Sequence, residues 1–144
     1  MNLINVNLNS QYDKMTTPEF LAGLPADRQQ LMNTLHETII ANDLNVTFSI
    51  KPMMGKEMMM YEEGHYMKYA LASVKSHMSL HCMPIYMNAS FHVKYTPLLP
   101  AAKFQKGCIN FTDAAAMPVA IVSALIADCA PINIPAMLEN RKKK

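Results

Sequence analysis

His77, Ser79 and His81 alternate with Met78, Leu80 and Cys82 along one short segment. Successive side chains of a β-strand point to opposite faces. The alternation therefore sends two imidazoles and a hydroxyl to one side of a sheet, and a thioether, an isobutyl group and a thiol to the other. The preceding segment repeats the pattern, with Lys68, Ala70 and Ala72 alternating with Met67, Tyr69 and Leu71. Further on, Lys106, Cys108 and Asn110 alternate with Gly107, Ile109 and Phe111. With Lys106 and Asn110 turned the same way as the histidines, one sheet face carries Lys68, His77, Ser79, His81 and Lys106 among small residues, bordered by Lys51 and Lys56. Such a face suits a small anionic ligand or a protein partner. An ordinary solvated sheet face shows the same alternation without any ligand.

Other chemistries fit less well. The spacing His77-x-x-x-His81 brings two imidazoles to one metal on a helix, but along a strand it separates them by about 13 Å, too far for a shared zinc ion. Met78 also stands where a His-Glu-x-x-His site needs its glutamate. Met53, Met54, Met58, Met59 and Met60 are soft donors of the kind Cu(I) accepts. On a strand, however, Met58 and Met60 face away from Met59, as core-filling thioethers do. Four glycines, at 23, 55, 64 and 107, exclude a dinucleotide fingerprint, a P-loop and a Gly-x-Ser-x-Gly elbow. His81 and Cys82 face opposite ways and form no dyad. Cys108 can meet His77 or His81 across the sheet, which leaves a thiol nucleophile as one open reading. No metal, cofactor or catalytic residue is assigned.

The elements that position these residues are readable from periodicity and punctuation. Thr17-Pro18 opens a short helix, and Pro25 opens a longer one reaching about Asn42, with Leu31, Leu35 and Ile39 on one stripe widened by Met32 and Ile40. Val46, Phe48 and Ile50 alternate as a short strand, and residues 51–56 form a loop. Residues 57–61, 66–74 and 77–83 make an antiparallel meander, turned at Glu62-Glu63-Gly64-His65 and Lys75-Ser76. A short helix over 88–95, a last strand over 106–111 and a C-terminal helix over 118–129 complete the chain. With no βαβ rhythm, the expectation is α+β: an antiparallel sheet of four to five strands with helices mainly on one face.

The chain has 144 residues, 51% of them apolar and 17% charged, as expected for one domain over 1–144 with a core of its own. Residues 1–15 read as a loose arm, and 139–144 as a frayed basic tail ending in Arg141-Lys142-Lys143-Lys144. A net charge of +2 does not point to nucleic acid or an anionic membrane. Three widely spaced cysteines form neither a disulfide framework nor a Cys-x-x-Cys site. The start of the chain has neither the basic nor the long apolar region of a signal peptide, so a cytoplasmic location is expected.

The runs Lys51-Pro52-Met53-Met54-Gly55-Lys56-Glu57-Met58, Lys75-Ser76-His77-Met78-Ser79-Leu80-His81, Met83-Pro84-Ile85-Tyr86 and Lys103-Phe104-Gln105-Lys106-Gly107-Cys108-Ile109-Asn110-Phe111 precede a helix after Pro118. In this order, over roughly Thr16 to Ala130, the chain resembles the YdhG-like family, a domain of unknown function. The resemblance implies a small α+β domain with an antiparallel sheet and supplies no catalytic residues. Some relatives carry an iron-chaperone, frataxin-like label, which makes an intracellular metal chaperone one alternative function. A thiol- or histidine-dependent enzyme centred on Cys108 is another. The first reading is a non-enzymatic binding domain using the polar sheet face.

Overall fold

The computed structural model describes residues 15–142. Most of the arm expected over 1–15, together with Lys143 and Lys144, lies outside the described residues. Helix α1 (Thr17–Ala22) starts on a capping box. Thr16 Oγ1 accepts from the Glu19 backbone N–H, while Glu19 accepts from the Thr16 N–H, so two donors that no helical carbonyl can reach are satisfied. Helix α2 (Ala26–Asn42) follows and buries Leu31, Met32, Leu35 and Ile39 as their four-residue recurrence requires. Ile40, expected to widen this stripe, stays 40% exposed.

Six strands form one antiparallel sheet: β1 (Thr47–Met53), β2 (Lys56–Glu63), β3 (Tyr66–Ser73), β4 (Met78–Cys82), β5 (Lys103–Gln105) and β6 (Cys108–Phe111), in the order β1-β2-β3-β4-β6-β5. The fold is α+β, with one or two strands more than expected. The extra residues come from two places. Lys51-Pro52-Met53 extends β1 instead of looping out, and Pro52 is tolerated because β1 is an edge strand with one side unpaired. Residues 103–105 form the short opposite edge, too brief for alternation to reveal.

Two short helices follow β4: the first was not expected from the sequence, and the second matches the helix expected over 88–95. Helix α3 (Met83–Met87) leaves β4 directly at Pro84, and α4 (Ala89–Tyr95) follows from an Asn88 cap. Helix α5 (Val119–Cys129) buries Val122, Leu125, Ile126 and Cys129, while Val119 stays exposed. Helix α6 (Ile134–Lys142) corrects the expectation of a frayed tail, since Glu139 to Lys142 continue the helix. Its start packs on the β2–β3 hairpin, where a Cβ at Gly64 would stand 2.6 Å from Pro135 Cγ.

The core lies between the sheet and helices α2 and α5. Ile50, Met59, Tyr61, Tyr69, Leu71, Met78, Leu80, Cys82, Ile109 and Phe111 supply its sheet side. Met78, Leu80 and Cys82 therefore face inward as their alternation predicts. Arg28 of α2 secures the turn before β4. Its Nη1 donates to Ser73 Oγ at 2.8 Å and to the Val74 and His77 carbonyls at 2.6 and 3.2 Å. The other sheet face carries a second apolar group, Met58, Met60, Ala70 and Ala72, with Met53 and Met67 against it. Both alanines are buried, Ala70 between Met60 and His81 in the ladder and Ala72 across from Ser79.

One irregularity decides where the polar residues go. In the β2–β3 ladder Tyr61 pairs with Tyr69, but Glu62 pairs with Met67, leaving Lys68 as a bulged extra residue. The bulge breaks the period of two. Met67 turns to the outer face, although it was expected beside Tyr69 and Leu71. Lys68 turns inward beside Tyr69.

Candidate functional site

The bulge removes Lys68 from the proposed polar face. Its side chain is wholly buried, with Nζ 2.9 Å from Asp43 Oδ2, 3.3 Å from Glu63 Oε1 and 3.2 Å from the Ala130 carbonyl. Tyr69 donates to the same Asp43 oxygen at 2.7 Å. Asp43 ends α2 and Ala130 ends α5, so the ammonium ion ties two helix C-termini to the sheet, where a positive charge is favoured. Glu63 also accepts from the Ile134 N–H at 3.1 Å, extending the tie towards α6. Lys68 is a structural residue, not a ligand contact.

The other predicted residues also scatter. Lys51 pairs with Glu62 at 2.8 Å near the β1 edge, and Lys56 is exposed where β2 begins. Ser79, expected on a solvated surface, is buried. Its hydroxyl donates to Asn110 Oδ1 at 2.6 Å, and the Asn110 amide donates in turn to Gln105 Oε1 at 3.0 Å. His77 precedes β4 and lines a separate hollow of about 300 Å³ with Lys103, Gln105 and Asn110. Of the seven, His81 and Lys106 share a cavity.

That cavity, about 270 Å³, is lined by Met67, His81, Met83, Tyr86, Lys106 and Cys108, together with Cys82 at the end of β4 and Gly107 of the turn before β6. The register places His81 directly across from Cys108. The Cys82 N–H donates to the Gly107 carbonyl at 2.7 Å, which makes 82–107 the hydrogen-bonded pair of the ladder. The adjacent 81–108 pair is then of the non-hydrogen-bonded kind, whose side chains stand closer. Cys108 Sγ accordingly lies 2.9 Å from His81 Nδ1. Ala70, across from His81 on its other side, leaves room for the ring.

Burial pushes the His81 imidazole below its ordinary value and the Cys108 thiol above its own. Both shifts favour the uncharged pair, a thiol donating to a neutral imidazole, over thiolate beside imidazolium. With Nδ1 accepting, the imidazole proton resides on Nε2. Among the described residues none hydrogen-bonds to that second nitrogen, so the third group that orients the base in a hydrolytic Cys–His site has no counterpart there. Among the same residues no three His, Cys, Asp or Glu side chains gather where one metal ion would hold them.

Two backbone features shape the mouth. Lys106 and Gly107 make the two-residue turn between β5 and β6, with Lys106 at φ 44°. Gly107 lets α3 approach the turn, because a Cβ there would stand 2.7 Å from Tyr86 Cβ. Tyr86 and Lys106 also belong to a second, larger hollow of about 710 Å³, completed by Met87, Met137, Asn140 and Arg141. The two hollows thus share a wall. One has a thioether-lined floor with a thiol–imidazole pair, and the other a rim with Lys106, Arg141 and an amide. Arg141 entered the sequence reading only as part of a tail. Helix α6 brings it here, and the pattern around it gave no sign of that helix.

No protein-family profile matches the chain, and no curated protein or solved structure matches it either. Among the described residues no single helix is long and apolar enough to cross a membrane.

Proposed function

We propose that the protein is a non-enzymatic binding domain whose ligand is a small anionic molecule with an apolar or sulfur-bearing body. The observation that carries this reading is the pair of adjoining hollows sharing Tyr86 and Lys106. Lys106 and Arg141 supply cationic donors at the rim, which favour a carboxylate or phosphate. Met67, Met83 and Tyr86 offer apolar contact to the remainder of the ligand, and His81 with Cys108 forms the polar floor. The anion preference inferred from the lysine- and histidine-bearing face is kept, but its residues are now His81, Lys106 and Arg141. Lys51, Lys56, Lys68, His77 and Ser79 do not join them. A cytoplasmic setting and kinship with the YdhG-like family belong to the same proposal.

The uncharged thiol–imidazole pair and the unoriented second nitrogen support binding over turnover. Calorimetric titration with S-methylglutathione, an anionic peptide thioether, tests the reading. Saturable binding that weakens about ten-fold in the Lys106→Ala/Arg141→Ala variant and with added salt is expected. No binding, or binding indifferent to both charges, would overturn it.

A further inference from the structure

We propose that Cys108 is a covalent capture site, forming a mixed disulfide with small anionic disulfides that dock on Lys106 and Arg141. This deepens the binding reading above and rests on it. Three features of the structure point there.

First, the three thiols have different settings. Cys82 and Cys129 are buried on the helix side of the sheet, 3.8 Å apart, whereas Cys108 is part-exposed in the hollow on the opposite side. Of the two cysteines that line the hollow, Cys108 is part-exposed and Cys82 is buried, so an entering disulfide meets the Cys108 thiol. Second, a proton acceptor is in place, because His81 Nδ1 lies 2.9 Å from Sγ. Third, the charged rim adjoins the thiol through Tyr86 and Lys106, so a molecule held by its carboxylates can lay its sulfur on the floor.

The step balances without further reagents. The Cys108 thiol proton passes to His81 Nδ1 while Sγ attacks one sulfur of the disulfide. The new S–S bond forms as the old one breaks, and the departing thiolate takes the proton from His81. One disulfide and one protein thiol become one mixed disulfide and one free small thiol. The Cys108 sulfur is oxidised to the disulfide level and the departing sulfur is reduced.

The burial that raises the Cys108 thiol governs what happens next. In an exchange the more acidic thiol is the better leaving group, so a basic protein thiol holds its partner more firmly than an acidic one. Cys82 points to the other face and cannot resolve the adduct from within the sheet. Cys108 therefore captures and stores, and does not cycle as a redox catalyst does.

The test exposes the reduced protein to oxidised glutathione (anionic), hydroxyethyl disulfide (neutral) and cystamine (cationic), following adducts by intact mass and locating them by peptide mapping. One adduct, at Cys108, is expected, forming about ten-fold faster with the anionic reagent than with the neutral one and slowest with the cationic one. In Lys106→Ala/Arg141→Ala the ratio of anionic to neutral rates should fall to near unity, and Lys106→Arg should retain the ratio. His81→Gln should slow capture of all three reagents. Equal rates for the three reagents in the native protein, or adducts on Cys82 or Cys129, would overturn the proposal. If S-methylglutathione binds but oxidised glutathione gives no adduct, covalent capture fails while the binding reading stands. If neither interacts, both fail.

Discussion

Lys68 Nζ lies 2.9 Å from Asp43 Oδ2, with both side chains sealed from solvent. The bulge that turns Lys68 inward thus converts a residue of apparent surface chemistry into a tie between sheet and helices. Removing one partner of a buried pair leaves the other charged and unpaired. Lys68→Ala should therefore cost about 3–5 kcal/mol. Lys68→Met combined with Asp43→Asn removes both charges, keeps an acceptor for the Tyr69 hydroxyl, and should recover most of that loss. Urea unfolding of the single and double variants checks this. A single variant within about 1 kcal/mol of the native protein would mean that the pair is solvated.

The inward face of β4 was legible because its residues obey the period of two and their chemistry agrees with it. Leu80 is wholly buried, across from Leu71 and Ile109. Lys68 was misplaced for the opposite reason: a bulge adds one residue without any glycine or proline to announce it, and every side chain before it changes face. Alternation put Cys108 within reach of either His77 or His81; the register selects His81, and the ladder's hydrogen-bond phase places the two at the closer kind of pair. Helix α6 and Arg141 were not legible. Its residues mix apolar and polar side chains without a continuous stripe, and Pro135 interrupts the reading near its start. The charged rim of the site depends on that helix.

Leu80→Ala deletes core methyl groups and should destabilise by about 2–5 kcal/mol. Ser79→Ala follows a different logic from the one alternation suggested. Its hydroxyl is buried and bonded to Asn110 Oδ1, so its loss should cost about 0.5–1.5 kcal/mol, the net worth of one hydrogen bond. Asn110 then retains its bond to Gln105. Paired urea titrations should rank the two variants in that order. A Ser79→Ala cost equal to that of Leu80→Ala would contradict the facing of β4.

Gly107→Ala tests the approach of α3 to the β5–β6 turn. The added methyl would meet Tyr86 Cβ at 2.7 Å, and Tyr86 Cα is 3.5 Å away, so the short helix must shift rather than a side-chain tip. A cost of about 1–3 kcal/mol is expected, as for overpacking elsewhere. The same shift widens the wall that the two hollows share, so S-methylglutathione should bind more weakly as well. A stable variant with unchanged binding would show that Tyr86 does not form that wall.

The pH dependence of stability carries a definite sign at His81. Burial holds the folded imidazole below the 6.5 of a free one. As pH falls through that value, the unfolded chain takes up a proton that the folded chain resists. The unfolded state then binds more protons, so stability is lost on acidification down to the folded pKa. His36 contributes in the same direction, since burial lowers it against the opposing pull of Glu37. The two can be separated by substitution. His81→Gln keeps an acceptor near the Cys108 thiol and removes only one of the two titrations. Unfolding free energies between about pH 5 and pH 8 should therefore rise with pH in the native protein and rise less steeply in His81→Gln. An unchanged slope would place His81 in water, with the ordinary affinity of a free imidazole. The Cys108 thiol would then lack the sheltered acceptor on which its proposed chemistry depends.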